Sequence, residues 1–164
     1  MRITAGRSLP LRLLAALALT IALAPWPSSR VAAGAFDTLL GSWRGGGLIK
    51  LSDGRTERLK CTASYTGGGS QLGMAIRCQS ESSNVHIRSK LSQTGGRISG
   101  TWEERTFNAT GTASGQATGD SINLQISGGV TGTMQVSYSR SRQSVSISTS
   151  GIALRSVTID HARS

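Results

Sequence analysis

The sequence predicts an all-β domain, an antiparallel meander that closes into a small up-and-down β-barrel or, as the alternative, flattens into a β-sandwich, after an N-terminal signal helix. Three observations predict it. Apolar residues recur at every second position through most of the chain beyond residue 36, the period of a strand with one buried face. Turns rich in Gly, Asp, Asn and Ser interrupt this alternation about every dozen residues, which gives nine or ten short strands and no amphipathic helix. The only two cysteines, Cys61 and Cys78, share a face of two adjoining alternations.

The chain opens with Arg2, Arg7 and Arg12, the apolar run Leu13 to Ala24, and small residues at Val31-Ala32-Ala33 or Ala33-Gly34-Ala35 at the spacing of a cleavage site. Residues 1–33 therefore read as a signal peptide cut near 33–35, and residues 36–164 as a single all-β domain. The apolar run falls short of the ~20 residues of a spanning helix. No membrane span is expected after cleavage, and a periplasmic or secreted location follows. The full chain has 18 Lys+Arg against 8 Asp+Glu. Four arginines leave with the signal, so the remaining balance is 14 minus 8, or +6. The basic residues are scattered singly along the sequence, which argues against specific nucleic-acid recognition but permits attraction to anionic envelope polymer.

Ala35 to Leu40 is a lead-in, either mobile or a short turn. Trp43, Gly45, Gly47, Ile49 and Leu51 then alternate with polar residues, and three glycines permit strong bending. Ser52-Asp53-Gly54 turns the chain. Leu59, Cys61, Ala63 and Tyr65 next form one face of a strand, and Leu72, Met74, Ile76 and Cys78 one face of its neighbour, hinged on Gly67-Gly68-Gly69-Ser70. A symmetrical hairpin places Cys61 opposite Cys78, Ala63 opposite Ile76 and Tyr65 opposite Met74, so pattern and cysteines agree on one register. A disulfide is the expected use of two cysteines in an exported chain.

Val85, Ile87 and Leu91 face inward in the next strand, with His86, Arg88 and Lys90 outward. Ile98, Gly100 and Trp102 continue the inner face, and Phe107, Ala109, Gly111, Ala113, Gly115 and Ala117 present small groups there. Ile122, Leu124 and Ile126, then Met134, Val136 and Tyr138, then Val145 and Ile147, then Val157 and Ile159 complete the series.

Gly41-Ser42-Trp43 resembles the G-x-W that opens lipocalin-type and avidin-type barrels, and Gly100-Thr101-Trp102-Glu103 is similar to a strand phrase of avidin-like barrels. The lipocalin resemblance implies a late arginine packed over the first-strand tryptophan, and Arg155 matches on spacing. Only Trp43 and Trp102 follow the signal, too few for a tryptophan-lined biotin site. The segments GSWRGGGLIKLSDGRTERLKCTASY, AIRC and GGRISGTWEERTFNATGTASG also resemble small exported domains of alphaproteobacteria, rhizobia and relatives among them. That resemblance implies an envelope location and supplies no catalytic residues.

No catalytic constellation is expected, and no metal or cofactor. A serine nucleophile needs a histidine base; His86 reads as a surface residue and His161 as part of a frayed end. Glu103 is expected outward and Glu104 inward or at the strand end, paired with Arg97 or Arg105. Asn108-Ala109-Thr110 matches a glycosylation site that a bacterial chain leaves unmodified. Two non-enzymatic readings follow. In the first, Trp43, Trp102, Tyr65 and Tyr138 line a site for a small or apolar ligand. In the second, Arg58, Lys60, Arg88 and Lys90, with Arg55, Arg140 and Arg142, form a basic surface for an anionic envelope component or a protein partner.

Overall fold

A computed structural model describes Gly34 and residues 36–164; the signal peptide expected over residues 1–33 lies outside them. Among the described residues ten strands follow in order: β1 (Gly41–Leu51), β2 (Thr56–Gly68), β3 (Gln71–Gln79), β4 (Asn84–Thr94), β5 (Arg97–Glu104), β6 (Ala109–Thr118), β7 (Ser121–Gly128), β8 (Thr131–Tyr138), β9 (Arg142–Ser150) and β10 (Leu154–Arg163). Each pairs antiparallel with the next, and β1 pairs antiparallel with β10. The meander is thus a closed barrel rather than a sandwich, which removes both sheet edges.

The β2–β3 hairpin has the register the cysteines imply, with Cys61 opposite Cys78, Ala63 opposite Ile76 and Tyr65 opposite Met74. Cys61 and Cys78 are joined by a disulfide and face the interior. Such a bond is the chemistry of an oxidising compartment. At the β1–β10 seam the backbones approach so closely that a Cβ on Gly45 would lie 1.8 Å from the Asp160 carbonyl oxygen, and one on Gly47 1.8 Å from that of Thr158. Those two glycines therefore let the sheet coil shut where its first and last strands meet.

Inward residues form one continuous core of 24 buried apolar side chains among the described residues. One end of the barrel, at the β2–β3, β4–β5, β6–β7 and β8–β9 turns, is plugged. The lead-in is a turn there, with Leu39 N–H donating to the Phe36 carbonyl (2.9 Å), and it buries Phe36 and Leu39 completely. Trp43 is also fully buried, and its Nε1 donates to the Leu39 carbonyl at 2.8 Å. The guanidinium of Arg163 lies 4.3 Å from the Trp43 ring centroid and donates to the carbonyls of Thr38, Leu40 and Arg140. The arginine over the first-strand tryptophan is thus Arg163, not Arg155, which is exposed on β10.

Four further expectations change. His161 is not frayed: it faces inward from β10 opposite Gly45 and is buried. His86 lies on the outer face but is half-buried. Phe107 leaves the small-residue face because the chain turns at residues 105–108, which exposes 67% of it. Glu104 pairs with neither Arg97 nor Arg105; it accepts hydrogen bonds from the backbone N–H groups of His86, Thr106 and Phe107.

Candidate functional site, the open mouth of the barrel

The mouth opposite the plug is bordered by the β1–β2, β3–β4, β5–β6, β7–β8 and β9–β10 turns. Five half-buried apolar side chains ring it: Leu51, Val85, Trp102, Ile126 and Leu154. Leu51 and Leu154 are paired across the seam, and Trp102 pairs with Gly111, which pairs in turn with Gly128. Beside the indole two strands therefore present no side chain, at Gly111 and Gly128. The Trp102 Nε1 donates to the carbonyls of Thr112 (3.2 Å) and Ser127 (3.3 Å), anchoring the ring across β6 to β7. Phe107 and Ile152, two of the three large apolar residues exposed among the described residues, sit on the β5–β6 and β9–β10 turns of this same end.

Two carboxylates hold the rim in place. Glu57 accepts from the backbone N–H and hydroxyl of Ser82, at 3.1 and 2.7 Å, and so ties down the β3–β4 turn. The Ser80 and Ser82 donors hold its pKa below the usual carboxylate range. Glu104 does the same for the β5–β6 turn. Burial opposes its ionisation, but the N–H groups of His86, Phe107 and Thr106 outweigh burial and keep its pKa low. Neither acid is thereby available as a proton donor near neutrality.

Of the aromatic residues expected at a ligand site, Trp102 alone borders the mouth. Trp43, Tyr65 and Tyr138 lie at the plugged end. The Tyr138 hydroxyl donates to the Gly119 carbonyl at 3.3 Å. Tyr65 belongs to a buried polar chain that sequence reasoning missed: Gln143 Nε2 donates to the Tyr65 hydroxyl (2.6 Å), and Gln143 Oε1 lies 3.0 Å from His161 Nδ1. The spacing of His161 from Val157 and Ile159 was the available signal for it. Burial pushes the Tyr65 pKa up to about 12, partly opposed by the Gln143 bond, and burial lowers that of His161 against the pull of Asp160.

The expected basic surface is on the outer wall. Arg58 and Lys60 project from β2, and Arg88 and Lys90 from β4. Arg44 on β1 and Arg77 on β3 join them, whereas the outward positions of β6 to β8 carry Ser, Thr, Asn and Gln. Arg140 and Arg142 lie apart, at the β8–β9 turn.

No family model matches this chain, and no curated protein matches it. Among solved structures it is similar to Rv2717c from M. tuberculosis, with a TM-score of 0.66 at 19% identity over 79% of this chain and 95% of that one. It is also similar to the S-type phycobiliprotein lyase CPES from Guillardia theta, with a TM-score of 0.52 at 13% identity over 78% of this chain and 89% of that one. Identities this low carry shape and no chemistry, and what the likeness establishes is the fold: this chain is a closed antiparallel β-barrel of the kind those two proteins share.

Proposed function

We propose that this protein is an exported, non-enzymatic binding barrel that takes a small apolar ligand, or the apolar part of a larger one, at its open mouth. The observation that carries the reading is the contrast between the two ends. One end is sealed by Phe36, Leu39 and Arg163; the other leaves Leu51, Val85, Trp102, Ile126 and Leu154 half-exposed around a rim held by Glu57 and Glu104. Apolar surface gathered at one end of the barrel, with its polar neighbours already satisfied, favours an apolar occupant. The dense core beneath restricts that occupant to the rim. The buried disulfide supports an oxidising location, periplasmic or secreted, and the likeness to a lyase-named barrel leaves this reading unchanged because it rests on shape.

Titration of the purified protein with the neutral fluorophore N-phenyl-1-naphthylamine tests it. Saturable binding at one site is expected, weakened at least fivefold by Trp102→Ala and unchanged by Tyr138→Phe at the plugged end. Binding that both variants leave untouched would overturn the reading.

A further inference from the structure

A second candidate site lies outside the barrel, on a wall the mouth does not use. Across the outer faces of β2, β3 and β4 runs a groove of about 410 Å³, bordered by Lys60, Thr62, Arg77, Gln79, Asn84 and His86. The register brings these residues together: Lys60 lies opposite Gln79, Thr62 opposite Arg77, and Arg77 directly opposite His86. Lys60 and Arg77, diagonal neighbours across the β2–β3 pair, carry like charge and repel. Among the described residues neither Lys60, Arg77 nor His86 forms an ion pair, because Glu57 is engaged by Arg55 and Ser82, Glu103 by Arg105, and Glu104 by backbone N–H groups.

His86 adds an independent sign. Its Nε2 is screened from solvent and has no hydrogen-bond partner, although the residue lies on the outer face. Loss of solvation, with Arg77, Arg88 and Arg105 nearby, depresses its pKa, and only Glu104 opposes them. A bound anion supplies what the cluster lacks, counter-charge for Arg77 and Lys60, and a small rotation of the His86 ring brings its unpartnered Nε2 within reach of the same anion. The planar fork of Arg77 suits an oxyanion with two acceptors on one edge, and ammonium and imidazole donors from neighbouring strands suit a third and fourth. Thr62, Gln79 and Asn84 add neutral hydrogen-bonding groups at the border.

We propose that this groove binds an oxyanion of the phosphate class, a free phosphate or the phosphate of a lipid headgroup, through Lys60, Arg77 and His86. The proposal is independent of the reading of the mouth. Titration of the 15N-labelled protein with inorganic phosphate at constant ionic strength tests it. Saturable shifts are expected at the amides of Thr62, Arg77 and His86. Lys60→Gln with Arg77→Gln weakens binding at least tenfold, and the charge-matched pair Arg140→Gln with Arg142→Gln changes it less than twofold. Cosedimentation with phosphatidylglycerol vesicles separates the two sources: loss of vesicle binding in the groove pair assigns a lipid headgroup, and phosphate binding without vesicle binding assigns the free ion. Non-saturating shifts spread over the protein, or equal loss in both variant pairs, would show general screening and overturn the site.

Discussion

Arg163 satisfies three carbonyl oxygens with one guanidinium while covering the Trp43 ring, so a single side chain joins the lead-in turn, the β8–β9 turn and the last strand. Its replacement by Lys keeps the charge but loses the fork. Arg163→Lys is expected to cost about 1 to 2 kcal/mol in urea unfolding. Removing the bridge with Cys61→Ala and Cys78→Ala is expected to cost about 3 kcal/mol, a loss that reduction of the native protein reproduces. The buried chain of Tyr65, Gln143 and His161 sets limits in pH at both ends. An unfolded imidazole titrates near pH 6.5, and burial holds that of His161 lower. Between those values the unfolded chain binds the extra proton, so stability falls as pH drops below about 6.5. His86 acts in the same direction; His161→Gln isolates the contribution of the core and is expected to flatten the acid limb. Tyr65 has the opposite limb, because its folded pKa of about 12 exceeds the unfolded value, and stability declines as pH rises from about 10. Melting temperatures across pH check both limbs. The inward side of His161 was legible from its spacing to Val157 and Ile159. That Arg163 rather than Arg155 reaches Trp43 was not, because alternation records which face a residue takes and not how far the strands slide past one another on closing.

Strands were the most legible elements, since each carries its own two-residue period, and the β2–β3 hairpin was legible to the residue because Cys61 and Cys78 admit one register. Turns were less so. Phe107 keeps the parity of β6 yet lies beyond its start, where Asn108 at φ 52° and the N–H groups bound by Glu104 redirect the chain. The glycines divide by what a side chain would meet. At Gly111 a Cβ would lie 1.9 Å from the Ser127 carbonyl oxygen and 2.8 Å from Trp102 Nε1. Gly111→Ala is therefore expected to destabilise by about 1 to 3 kcal/mol and to shift the Trp102 emission, since the indole must leave its anchor. Gly119, at φ 55° in the β6–β7 turn, has open space around it. Gly119→Ala is expected to cost only about 1 kcal/mol and to leave the emission unchanged. Urea unfolding followed by tryptophan fluorescence separates the two.

At the scale of the whole barrel, the charge pattern depended on closure. The outward parity of Lys60, Arg77 and Arg88 was readable along the chain, but their gathering on one wall arises only once β2, β3 and β4 lie side by side. The mouth was likewise unreadable in advance, because which end is plugged depends on Phe36 and Leu39 folding back beneath Trp43. Deleting residues 154–164 is expected to expose the edges of β1 and β9, and the product should elute as aggregates in gel filtration. The pairing of β1 with β10 has a temporal meaning as well. The Cys61–Cys78 hairpin is local and can form and oxidise as soon as its two strands emerge. The cylinder cannot close until the tenth strand arrives to meet the first, since the sealing contact joins Trp43 to Arg163, 120 residues apart. A chain built this way stays threadable for most of its length, and it locks only when the last strand lies against the first.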